Sequence, residues 1–82
     1  MGESMTDANF QKWEKVLTEE CEYLIKRQDP RLGLEESTAK ERAGATTRMV
    51  LYGIGRERPE VKRACRRLGI GVSYRCIQEF LL

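Results

Sequence analysis

The sequence predicts an all-α fold, a small bundle of about four helices in a single domain over residues 1–82. Three observations carry this. Apolar residues recur every three or four positions over several turns; Gly and Pro fall where helices start and stop; and no stretch alternates apolar with polar as a half-buried strand does. Eighty-two residues make one domain, and a chain this short buries only about 60% of the surface that its unfolded form exposes. A homodimer is one way to bury more apolar area.

Residues 1–6 are expected to be a loose tail. From Asp7, the series Phe10, Trp13, Leu17, Cys21 and Leu24 marks one face of an amphipathic helix, widened by Val16 and Tyr23 and capped by Thr6 or Asp7. Pro30 disfavours helical geometry at Asp29, so this helix should stop near Gln28. A turn follows at Asp29-Pro30-Arg31-Leu32-Gly33. Thr38-Ala39-Lys40-Glu41 fits a capping box for a second helix from Ala39 to about Tyr52, with Ala39, Ala43, Thr46 or Thr47, Val50 and Leu51 inward.

Gly53-Ile54-Gly55 should end the second helix and send Ile54 into the core. Pro59 suits the first position of a third helix, where its missing N–H costs nothing. Val61, Ala64, Cys65 and Leu68 form its inner face, Lys62, Arg63, Arg66 and Arg67 its outer one. Gly69 is the expected left-handed cap, and Ser73 caps a last helix with Tyr74, Ile77, Phe80 and Leu81 as its apolar positions.

Composition narrows the function. The three cysteines form no C-x-x-C pair and there is no histidine, so neither a zinc site nor a disulfide framework is expected, and the cysteines read as small core residues. No cofactor or small-molecule substrate is implied. Without His, proton transfer would fall to Glu, Lys, Tyr or Cys, and no carboxylate pair or nucleophile–base pair stands out. Gly53-Ile54-Gly55 lacks the Lys-Ser/Thr of a phosphate loop. The reading is therefore not an enzyme. No run of 18 apolar residues predicts a membrane span, and free thiols without a secretory signal point to the cytoplasm.

Charge is unevenly spread. Residues 1–36 hold nine acids and five bases, whereas residues 37–82 hold four acids and ten bases. Such asymmetry points either to an anionic partner or to mutual attraction of the two halves. The string Ala64-Cys65-Arg66-Arg67-Leu68-Gly69-Ile70-Gly71-Val72-Ser73-Tyr74-Arg75, within residues 61–81, resembles the helix-turn-helix motif of bacterial and phage DNA-binding proteins. The match is a small residue at the helix crossing (Cys65, with Ala64 beside it), Leu68 before the turn, Gly69 in it and Ile70 after it. The family places an apolar residue five positions after the turn aliphatic, where this chain has Arg75; that phase implies a shorter turn or a helical hairpin of similar look.

The resemblance implies a DNA-binding protein of transcription regulation, working as a dimer. Its second helix would face base edges with Val72, Ser73, Arg75 and Gln78 exposed, Arg75 and Gln78 reading sequence. Lys62, Arg63, Arg66, Arg67, Arg56 and Arg58 would contact phosphates, as would the helix start at Ser73. This requires Lys62, Arg63, Arg66, Arg67 and Arg75 to form one exposed patch, unpaired with the acids of the first helix. The alternative is a protein-interaction module, an inhibitor or adaptor subunit acting through the amphipathic N-terminal helix and an exposed apolar patch near Trp13 or Tyr52.

Overall fold

The computed structural model describes residues 5–28 and 36–82. Among these the chain forms four helices and no strand: α1 Met5–Gln28, α2 Glu36–Leu51, α3 Pro59–Leu68 and α4 Tyr74–Leu81. The bundle of about four helices is thus as the sequence predicts. α1 is the platform, and the other three pack on it.

The predicted inner faces meet. Trp13, Leu17 and Cys21 of α1, Ala39, Ala43 and Val50 of α2, Val61, Ala64 and Cys65 of α3, and Ile77 and Leu81 of α4 form one buried cluster. Phe10, Leu51, Leu68, Ile70, Tyr74 and Phe80 close its edges. Trp13 is fully buried, and its indole N–H donates to Thr47 Oγ1 at 2.9 Å. That bond satisfies the ring's one polar atom, and Thr47 in turn donates to the Ala43 carbonyl. Trp13 therefore pins α1 to α2 and cannot serve as the exposed anchor of a protein interface.

Several boundaries differ from expectation. α1 begins at Met5, so residues 5 and 6 belong to the helix rather than to a tail, and neither Thr6 nor Asp7 is its cap. α2 begins at Glu36, which puts the Thr38–Glu41 box inside it. Capping residues mark a start only weakly when the preceding residues are themselves compatible with helix and the inner face anchors the segment. The Asp29–Gly33 turn lies outside the described residues.

Two helix ends share one device. At the end of α2, Gly53 N–H donates to the Val50 carbonyl and Ile54 N–H to the Met49 carbonyl. At the end of α3, Gly69 N–H donates to the Arg66 carbonyl and Ile70 N–H to the Cys65 carbonyl. Both are Schellman closures, and Gly53 and Gly69 have the positive φ that these require. Their apolar followers differ. Ile70 packs on the core, whereas Ile54 stays 54% exposed, against expectation. The cause is Gly55, whose φ of +85° turns the chain inward beneath Met49, so that Gly55 and not Ile54 is buried.

α3 and α4 are joined by five residues, Gly69 to Ser73, with Gly69 and Ser73 as the caps that the sequence predicts. The two helices are held chiefly through α1 rather than by broad contact with each other. Ser73 caps α4 as expected, its hydroxyl accepting from Cys76 N–H at 3.1 Å.

Substitution at the two α2-exit glycines should separate backbone strain from crowding. Gly53→Ala meets open space and should destabilise by about 1 kcal/mol through its positive φ alone. In Gly55→Ala the new Cβ would also come within 2.9 Å of Met49 Cε, and the loss should be about 2 kcal/mol or more. Urea denaturation midpoints check the ranking; equal losses would contradict the buried placement of Gly55.

Candidate functional site

The basic residues divide by partner. Glu60, in the first turn of α3, has no exposed surface. Its carboxylate accepts from Arg42 Nε at 3.0 Å and Nη2 at 3.3 Å, from Arg58 Nε at 3.0 Å and from Thr46 Oγ1 at 3.1 Å. Burial pushes this carboxyl up, but the Arg42 hydrogen bonds and the charges of Arg42 and Arg58 outweigh burial and hold it below the ordinary range. Arg58 also donates to Met49 Sδ. Arg58 is thus a structural clamp on the start of α3 rather than the free phosphate contact expected of it.

Arg63 and Arg67 face α1. Arg63 Nε donates to Glu20 Oε1, and Arg67 donates to Glu20 Oε2 at 3.1 Å and Glu19 Oε1 at 2.8 Å. Part of the charge asymmetry is therefore settled by attraction between the halves. Both guanidiniums still keep 43% and 45% of their side-chain surface. Lys62 and Arg66 are exposed and form no ion pair among the described residues.

Successive turns of a helix carry i and i+4 on one side. Lys62 with Arg66, and Arg63 with Arg67, are therefore two adjacent columns on the solvent face of α3, which carries no acid. The edge of α1 beside them carries Glu19, Glu20, Tyr23 and Arg27 in the same stacking. Arg63 lies 4.6 Å and Arg27 5.6 Å from the Tyr23 ring centroid, and Arg27 Nη1 donates to the Tyr23 hydroxyl at 2.9 Å. Tyr23, expected in the core, is 41% exposed.

The predicted base-reading helix is less available. The Gln78 amide donates to the Val50 and Leu51 carbonyls at 3.1 and 3.3 Å, capping the end of α2, so Gln78 is not a free reader. The Ser73 hydroxyl is used within its own helix start. Arg75 is 88% exposed but pairs with Glu79 one turn on, at 3.2 Å. Arg56 packs over the Tyr74 ring, 5.5 Å from its centroid, and its backbone N–H donates to the Tyr74 hydroxyl. With Arg63 and Arg67 paired to acids of α1 and Arg75 to Glu79, the five residues expected in one free patch do not make one.

Cys21 and Cys65 are buried, each pushed up to about 11: by burial and then the Glu60 charge for Cys21, by burial and then the Cys76 charge for Cys65. At neutral pH both remain thiols, unsuited to nucleophilic attack. Cys76 is exposed, not the core residue expected. Among the described residues no group of three or more His, Cys, Asp or Glu could hold a metal ion. Among the described residues no helix is long and apolar enough to cross a membrane. No protein-family model, curated protein or solved structure matches this chain.

Sequence reasoning placed the α3 cations but missed Tyr23 and the two clamps. Glu20 reads as one of the acids of the first helix and Glu60 as an acid at the start of the third; nothing in the linear pattern shows that each meets two arginines.

Since the Glu60 carboxyl lies below its ordinary range, its contribution is present above the unfolded value, about 4.3, and is lost as pH falls through the folded value. Glu60→Gln should destabilise by about 2 kcal/mol at pH 7 and flatten the acid limb of the stability curve. Parallel pH curves for the two proteins would exclude Glu60 as the source of acid sensitivity.

Proposed function

We propose that this chain is a non-catalytic nucleic-acid-binding protein that grips phosphates with the solvent face of α3. One observation carries this reading: four cations, Lys62, Arg63, Arg66 and Arg67, share a face with no acid of its own, and two of them, Lys62 and Arg66, have no anionic partner among the described residues. Phosphate contact needs exposed positive charge at helix spacing and no particular base-edge geometry. The commitment of Gln78 to the end of α2 and the pairing of Arg75 favour positioning over sequence reading. DNA binding in the helix-turn-helix manner, with α4 in the major groove, would instead rest on Arg75 alone.

A second reading is docking to a protein. Tyr52 and Ile54, 85% and 54% exposed, stand on the hydrogen-bonded turn between α2 and α3. A rigid turn presents apolar groups at low entropic loss, so Tyr52 and Ile54 would be its anchors.

Titration of a labelled 20-base-pair duplex between 50 and 200 mM salt tests the first reading. Affinity should fall with a log–log slope near −3, about 0.9 for each of three to four neutralised phosphates. Arg66→Ala should weaken binding to all sequences alike and reduce the slope by about 1. Arg75→Ala should leave affinity within about twofold; a loss of 1–3 kcal/mol confined to one sequence would instead make Arg75 a base reader. Absence of salt-sensitive binding at 50 mM would end the nucleic-acid reading and turn attention to Tyr52 and Ile54.

A further inference from the structure

The α3 cations are not bounded by a plain acidic helix. The edge of α1 that meets them brings an aromatic ring into the basic face, and the two guanidiniums nearest that ring lie on different helices. From Tyr23 and its flanking Arg27 and Arg63 we infer that this face takes single-stranded nucleic acid, with phosphates along Lys62 and Arg66 and bases stacked on the Tyr23–arginine platform. This rests on the nucleic-acid reading and narrows it from phosphate binding in general to unpaired strands.

The chemistry is that of sequence-tolerant strand binding. Unpaired bases expose their faces, and aromatic rings and guanidinium planes both accept stacking. In a duplex those faces are stacked on one another, and only phosphates remain for α3 to grip. Tyr23 is 41% exposed, so part of its surface is accessible, and Arg63 lies over the ring, 4.6 Å from the centroid, so on that side a base would stack on the guanidinium plane rather than on the ring itself. The ring is fixed rather than loose, because its hydroxyl accepts from Arg27 and its helix is the platform of the bundle. Glu19 and Glu20 lie beside the platform, but both are engaged by Arg63 and Arg67. Glu22 lies instead along the groove between α1 and α2, with Glu14, Thr18 and Gly44. The platform thus borders cations on α3 and on the last turn of α1, where Lys26 and Arg27 sit.

The test compares a labelled dT20 strand, a U20 strand and a 20-base-pair duplex at one salt concentration, with the whole chain and its variants. The unsubstituted protein should bind dT20 or U20 at least about fivefold more tightly than duplex. Tyr23→Ala should lose roughly tenfold on the single strand, within the range of one stacked base, and change duplex affinity by less than about twofold. Tyr23→Phe keeps the ring and should bind the strand within about twofold of the unsubstituted protein. Helical circular dichroism checks folding; if Tyr23→Ala unfolds, Tyr23→Leu replaces it, keeping apolar bulk without an aromatic face. Equal affinity for strand and duplex, or no effect of losing the ring, overturns the platform while leaving phosphate binding intact. Failure of all three nucleic acids to bind overturns both.

Discussion

The buried carboxylate of Glu60 is the constraint around which the C-terminal half is arranged. A carboxylate without exposed surface is tolerable only if its charge and lone pairs are met, and here Arg42, Arg58 and Thr46 meet them. The contacts join α2 to the start of α3 and fix where α3 begins, since Pro59 supplies the first residue and Arg58 the extended cap. They also fix how α3 is rotated. With Glu60, Val61, Ala64 and Cys65 turned inward, the four cations of the helix can only face solvent and the edge of α1.

Rotation of α3 then decides the electrostatics. Arg63 and Arg67 arrive beside Glu19 and Glu20, while Lys62 and Arg66 arrive one column further out and find no acid among the described residues. The Arg67–Glu19 pair is exposed and adds little to stability, because solvent screens it and side-chain entropy opposes it, whereas Glu20 is buried and needs Arg63 and Arg67 to meet its charge. The pairs also shape the surface. Two carboxylates are taken up by the inner column, which leaves the outer column as the net charge that a partner meets. The dipolar sequence is therefore neither wholly self-neutralised nor a free basic patch.

The fold was largely legible in the sequence because it depends on periodicity. The inner faces of all four helices, the glycine that ends α3 and the serine that caps α4 follow from spacing and residue type alone. What escaped was long-range. The inward turn at Gly55 leaves Ile54 outside, and it depends on the positive φ of Gly55 and its packing against Met49. Tyr23 lies on the border between the apolar stripe and the outer face of α1, so periodicity assigns it to the core; its partner Arg63 is forty residues away. The Gln78 amide reads as a groove-facing donor until the end of α2 is seen beneath it.

This same long-range placement separates two ways of using a basic helix. A recognition helix must present several uncommitted donors to base edges, and α4 has its amide engaged at the end of α2 and its arginine paired with Glu79. α3 makes no such demand on its side chains. Its cations need only be positive, exposed and in register, and two can remain partly tied to α1 without leaving the surface. Tying them has a further consequence, since it holds Arg63 against Tyr23 and so keeps one guanidinium over the ring. The α1–α3 ion pairs and the aromatic platform are thus one arrangement. The acids that lower the net charge of the face also order the groups on which an unpaired base could stack.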